Sequence, residues 1–208
     1  MKNNDFKDII FNRKSIKVFD ENVKIPREEM LEMIDEAVKA PSSVNLQPWR
    51  FVVVESQEGK DLLRPLIRFN TRQNDTSSAM IVIFGDMKCY EKAEDIYSRA
   101  VEQQLMPESV KNQLMELFMP RYENAPQQVM NDIVKIDSSL AAMQLMLVAR
   151  AHGYDTNPIG GFEDDLIAEA LGMDKEQYVP VLIVAIGKAA YEAHPSMRLK
   201  AEEITRFH

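Results

Sequence analysis

The chain has 208 residues, 45% hydrophobic and 28% charged, a balance that suits a globular protein able to bury a core without staples. A net charge of −8 and a pI near 5.0 exclude general binding to nucleic-acid backbones or anionic membrane, leaving only a local basic pocket open. One cysteine, Cys89, excludes an intrachain disulfide and fits a reducing compartment.

No apolar stretch follows the first lysine as in a signal peptide, and the apolar runs AMIVIF and VPVLIVAIG are too short to span a bilayer. A cytoplasmic protein is expected. No linker, repeat or low-complexity tract interrupts the chain, so a single domain over 1–208 is expected.

A short helix is predicted over residues 5 to about 11, followed by RKSIKVFDENVKIP as an extended polar loop. Pro26 suits the first turn of the next helix, with Glu28 and Glu29 near its positive end. Leu31, Ile34, Ala37 and Val38 share one face of it, and Pro41 stops it at Ala40. FVVV, starting at Phe51, reads as a buried central strand. Leu62, Leu63, Leu66 and Ile67 mark a helix bent by Pro65, and AMIVIFGD is a second buried strand. Residues 88–128 form a polar helical insertion interrupted by Pro107, Pro120 and Pro126, with Tyr97, Phe118 and Tyr122 as its exposed aromatics.

A long helix is predicted over 129–151. Between Leu140 and Ala149 only Gln144 is polar, so this helix is expected to be enclosed on every side, with help from a subunit partner. Gly153 ends it. A short helix over 164–171 stops at Gly172, VPVLIVAIG is the third buried strand, and a polar tail follows. Helices outnumber strands and do not alternate with them, which predicts an α+β fold with a small sheet packed among helices.

Much familiar chemistry is missing. His152, His194 and His208 do not stand at metal-ligand spacing, so no metal is expected. No C-x-x-C, Walker loop, G-x-S-x-G or G-x-G-x-x-G occurs. His152 reads as a capping or solvated residue at a helix end, and Cys89 as a small buried filler.

Three stretches carry candidate chemistry. RKSIK, residues 13–17, sets three cations and a hydroxyl together; Arg13 and Ser15 can grip a phosphate, although a solvated loop has the same composition. APSSVNLQPW, residues 40–49, is too rich in hydrogen-bonding side chains for a plain helix stop and reads as a binding loop. NPIGGF, residues 157–162, is either a tight turn or a place where Gly160 and Gly161 admit a flat ligand. Together they suit a phosphorylated heteroaromatic cofactor such as FMN.

In order, RKSIKVFDE, APSSVNLQPWRFVVV, FNTRQNDTSSAMIVIFGD, NPIGGF and HPSMRLKAEE resemble the FMN-dependent nitroreductase family over residues 9–201. The resemblance implies a mainly antiparallel sheet surrounded by helices, in an intertwined homodimer with an FMN at each interface site. It implies that Arg13, Ser15 and Arg198 hold the phosphate, with Lys14 helping partly through its backbone, and that Lys17 lies near the pyrimidine edge. Asn70 and Gln73 would contact the ring edge or ribityl chain. Pro41, Ser42, Ser43 and Asn45 would reach the flavin of the other subunit, Gly160 and Gly161 would present N–H groups toward N5, and Pro158 and Ile159 would also be cofactor-binding. The implied activity is hydride transfer from NADH or NADPH to a small-molecule oxidant such as a nitroaromatic or quinone, with ping-pong kinetics and the flavin carrying the chemistry. Same-fold dehalogenation, heterocycle oxidation, flavin breakdown and a non-enzymatic FMN-binding module are the alternatives. Gln73 and Ser196 stand where lysine is common in the family, and Gly160 where glutamate occurs in some members.

Overall fold

The computed structural model describes residues 3–208. Strand β2 (Ala79–Asp86) is buried along its whole length. It lies between β1 (Trp49–Val54) and β4 (Tyr178–Gly187), with β3 (Asp155–Ile159) beyond β4, giving the order β1-β2-β4-β3. Every strand pair in this sheet is antiparallel.

Alternation along the strand sorts β2 side chains to two faces. Met80, Val82 and Phe84 pack with Leu63 of α3 (Gln57–Leu63) and Ile167 of α8 (Asp164–Ala170). Ala79, Ile81 and Ile83 pack with Met33 of α2 (Arg27–Ala37) and Leu145 of α7 (Gln127–Ala151). Coverage of both faces is why β2 reads as an unbroken apolar run. The result is the expected α+β arrangement, a small antiparallel sheet among helices. Among the described residues no helix is long and apolar enough to cross a membrane.

Gly85 permits a close approach of β2 and α7. A methyl group there would meet Val134 Cγ2 of α7 at 2.7 Å, inside any real contact distance. Gly153, with φ +87°, ends the chain's longest described helix in the left-handed region.

Several expectations need correction. FVVV lies in the edge strand β1, and its residues Phe51, Val52 and Val53 are only half-buried. Phe51 and Val53 still pack on one face and Val52 on the other, so its pattern matches that of a central strand. NPIGGF begins inside a fourth strand that was not foreseen; Pro158 is tolerated because β3 is an edge. On α2 the buried stripe is Met30, Met33 and Ala37, while Leu31 on the neighbouring stripe is exposed.

The enclosure expected around α7 is incomplete within one chain. Ala141, Leu145 and Ala149 are buried, but Ile136, Leu140 and Met143 are exposed along its outer side. An apolar groove runs beside them, lined also by Phe6 and Ile9 of α1 (Phe6–Asn12) and by Pro41.

Residues 88–128 hold two principal helices, α5 (Ala93–Glu102) and α6 (Glu108–Glu123), separated at Pro107. Tyr97 and Tyr122 are buried rather than exposed. They join Cys89, Met130 and Leu46 in a core of their own, so the polar look of this segment conceals a packed interior. His152 is the residue capping α7, yet its side chain is not solvated; Nε2 lies 3.2 Å from Glu36 Oε2.

Candidate functional site

Arg13 follows directly on α1 as its C-cap. Its Nη1 is buried and has no hydrogen-bond partner. Burial first, and the charge of Arg198 second, lower its pKa. The charge of Arg198 is thus felt at a guanidinium that has lost water without gaining an acceptor. Such an arrangement is costly alone and is relieved by an anion, above all one that accepts several hydrogen bonds.

Ser15 is exposed and forms a parallel bridge to Thr156 of β3, where Ile16 N donates to Thr156 O at 3.0 Å. Thr156 Oγ1 is a second buried polar atom without a partner, and no motif in the sequence had marked it. Lys14 turns back, donating from Nζ to Phe11 O at 3.0 Å, so its ammonium caps α1. Lys17 is exposed and lines a cleft with Ser15, Arg72, Tyr191 and His194. Arg72 is a further cation there that the motif reading passed over.

A second group lies between the helix α4 (Thr71–Thr76) and the end of β3. Gln73 Nε2 donates to Asn70 Oδ1 at 3.2 Å, and Asn70 Nδ2 donates to Ile67 O at 3.2 Å. A methyl group on Gly161 would sit 3.7 Å from Asn70 Nδ2, which brings the two motifs together. One on Gly160 would meet nothing, and neither glycine has a positive φ. The fold of the chain itself therefore does not demand glycine at 160. Ile159 is in the core and can address a ligand only through its backbone, whereas Pro158, paired with Val184 of β4, is half-buried. Phe69, next to Asn70, is 98% exposed. It follows Arg68, which has φ +49° and pairs with Glu163 at 3.0 Å. A bare ring beside Asn70 and Gly161 is a candidate ligand contact that pattern reading missed, because one aromatic in a loop carries no periodicity.

The third group is the loop after Pro41. Val44, Asn45 and Gln47 all have positive φ, at 39°, 57° and 49°. For a β-branched residue such as Val44 this is a true outlier, and such residues cost roughly 1–3 kcal/mol each. The interior holds them. Ser43 N donates to Asp137 Oδ2 at 2.9 Å, and Ser43 Oγ lies 2.5 Å from Tyr122 Oη. Tyr97 Oη donates to Val44 O at 2.6 Å, and Gln47 N donates to Ser42 Oγ at 3.1 Å. Arg50 donates to Gln47 O at 3.0 Å while pairing with Asp86 at 2.7 Å. Burial raises the pKa of Asp137, opposed by the Ser43 hydrogen bond, and burial raises that of Tyr97 to about 12. Both serine hydroxyls thus face inward, and Pro41 and Asn45 are what the loop exposes.

These groups do not all meet within one chain. The Ser15–Thr156 bridge lies at the end of the sheet marked by Ile186 and Ala79, whereas the loop enters β1 at Trp49, opposite Gly85. The run from Ala79 to Gly85, at about 3.3 Å per residue, separates the two ends by roughly 20 Å.

Comparison with known proteins follows this geometry. A solved structure from Staphylococcus epidermidis, described provisionally as an NAD(P)H:FMN oxidoreductase, is 58% identical, covers 100% of this chain and 98% of its own, and superposes with a TM-score of 0.98. One from Exiguobacterium sibiricum, described provisionally as a nitroreductase in complex with FMN, is 52% identical, covers 100% and 99%, and has a TM-score of 0.97. The CLA biosynthesis enone reductase of Lactiplantibacillus plantarum is 42% identical over 99% of this chain and 95% of its own length. The family model described as the nitroreductase family matches residues 10–188. With an unpaired guanidinium at one end of the sheet, an inward-clamped loop at the other, and this match spanning both, the chain belongs to the nitroreductase family.

Proposed function

We propose that the chain is an FMN-dependent NAD(P)H oxidoreductase acting as a homodimer, with each cofactor site built from two subunits. The observation that carries this reading is the buried, partnerless Nη1 of Arg13 beside Arg198, an arrangement suited to a phosphate dianion. The relatives named for FMN and NAD(P)H support the cofactor and the reductant.

Arg13 and Arg198 bind the phosphate, and Ser15 adds a hydroxyl from the strand-like bridge to Thr156. Lys14 acts through backbone, since its ammonium is engaged at Phe11 O. Lys17 supplies positive charge along the cleft, and Arg72 adds to it. Gln73 orients Asn70 toward the ring edge through their hydrogen bond. Ile159, Gly160 and Gly161 offer backbone N–H donors and Pro158, which has none, its carbonyl, with open space over Gly160. Pro41 and Asn45, exposed on the loop, reach the partner's site; Ser42 and Ser43 support them from inside. The exposed stripe of Ile136, Leu140 and Met143 is the surface that the partner covers. The chemistry FMN supplies is two-electron transfer from NADH or NADPH to an electron-poor acceptor, with donor and acceptor occupying the site in turn. Helices α5 and α6, within the single domain proposed for the chain, shape the acceptor side of the pocket.

Anaerobic titration of the FMN-bound protein with each nicotinamide tests the reading. Bleaching of the flavin absorbance by at least one, followed by recovery with menadione or a nitroaromatic, is expected. Retention of full yellow colour with both sinks it.

A second reading of the acceptor is favoured by the enone reductase relative. An α,β-unsaturated carbonyl accepts a hydride equivalent at its β-carbon and a proton at its α-carbon. A panel pairing a fatty-acyl enone with a quinone and a nitroaromatic separates the two: a kcat/KM at least about tenfold higher on the enone assigns that class.

A further inference from the structure

We infer that Asp137 and Tyr122 are positioning residues: from α7 and α6 they hold the Ser43 segment in its strained shape so that it meets the cofactor of the other subunit. The inference rests on the two-subunit site proposed above, but its geometry stands alone.

Three residues between Val44 and Gln47 occupy the left-handed region, and none is glycine. A free loop of this composition relaxes out of that conformation, since each such residue is strained. What opposes relaxation is a set of buried contacts from three helices. Asp137 on α7 accepts the Ser43 N–H, Tyr122 on α6 meets the Ser43 hydroxyl, and Tyr97 on α5 donates to the Val44 carbonyl. Leu46, 1% exposed, plugs the same core from the loop side. Asp137 and Tyr122 are themselves buried, so neither is available to a ligand directly. The helices that follow β2 thus act on the loop as well as on the pocket. An ordered loop needs no further ordering when the cofactor arrives, which favours binding.

The test uses the full chain co-expressed under two affinity tags, so that mixed dimers can be isolated. Asp137→Ala removes the acceptor for Ser43 N–H, and Arg13→Ala removes the phosphate grip. Each homodimer is expected to bind FMN about tenfold more weakly than wild type. In a mixed dimer of one Asp137→Ala chain and one Arg13→Ala chain, both defects fall in the same site and the other site is intact. One tightly held FMN per dimer and about half the wild-type turnover are expected. Placing both substitutions in one chain beside a wild-type partner damages both sites and leaves no tight FMN. Asp137→Asn, which keeps an acceptor oxygen, is expected to restore affinity to within about twofold. A purely structural role predicts no such dependence on which chain carries which change. Equal weakness of both mixed dimers overturns the inference. Amide exchange in the cofactor-free protein is the independent arm: Asp137→Ala and Tyr122→Phe should accelerate exchange in residues 42–47 while leaving β2 and β4 protected. Unchanged exchange in the loop also overturns it. Wild-type protein that takes up no FMN sinks the proposed function instead, and the exchange result then still decides the clamp.

Discussion

Burial first and the charge of Arg198 second lower the pKa of Arg13, although the two arginines lie at opposite ends of the chain, one after α1 and the other in the tail before α9 (Ala201–Ile204). Like charge near a buried, partnerless nitrogen supports the proposed anion site. Arg198→Ala is expected to leave the melting temperature of the cofactor-free protein unchanged or slightly higher, because a repulsion is removed. The same change should weaken FMN by roughly tenfold to a hundredfold, corresponding to one charged hydrogen-bonding partner of about 1.5–3 kcal/mol. Fluorescence titration and thermal melts on the same preparation check both halves. Inorganic phosphate should raise the melting temperature of the wild type more than that of Arg13→Ala.

Two glycines offer opposite outcomes. Gly160→Ala meets open space at a backbone with no positive φ, so unfolding in urea should show stability unchanged or raised by about 0.4–1 kcal/mol. Its effect should appear instead as weaker FMN binding. Gly85→Ala pushes a methyl group to 2.7 Å from Val134 Cγ2 and should cost about 1–3 kcal/mol by overpacking. Equal stability of the two variants in urea would contradict both assignments.

Cys89 is 1% exposed, and burial, followed by the charge of Asp86, pushes its pKa up to about 12. The thiolate is the reactive form, so the native thiol should resist disulfide reagents at pH 8. It should react completely once guanidinium unfolds the chain. Absorbance at 412 nm with a thiol-exchange chromophore distinguishes the two states.

Asp137 gives a pH signature. Burial raises its folded-state pKa above the ordinary value of 3.8, so the folded chain holds this proton more tightly than the unfolded chain. The associated stability is fully present below 3.8 and is lost as the pH rises through the folded pKa. Asp137→Asn does not titrate. The stability of wild type minus that of Asp137→Asn, from urea curves at matched pH, should therefore fall as pH increases from about 3.5 upward and then level off.

Much of the architecture was legible because burial leaves periodic traces. The two-sided apolar run of β2, the stop at Gly153 and the helix-dense pattern around a small sheet all announce themselves in residue order. Position within the sheet does not. Phe51, Val52 and Val53 pack on two faces at an edge just as they would at the centre, and DTNPI shows neither alternation nor a continuous apolar run. Within the proposed site, Arg13 was marked by the cations and hydroxyl of RKSIK, and Arg198 only by the family resemblance. The site was not legible where a residue acts through another. Tyr97 and Tyr122 looked like exposed aromatics in a polar segment, and only tertiary packing reveals that their hydroxyls support Val44 and Ser43. Thr156 and Arg72 escaped because a lone hydroxyl or cation has no pattern to betray it.

Helix α7 carries Asp137 buried and, about one turn later on the neighbouring stripe, Leu140 exposed. In the homodimer proposed above the partner covers Leu140, so parting the subunits should disturb the rod on which the loop's anchor is mounted. Dilution should release the yellow chromophore well before it unfolds the polypeptide, and the enzyme should regain colour simply on being reconcentrated with the vitamin phosphate.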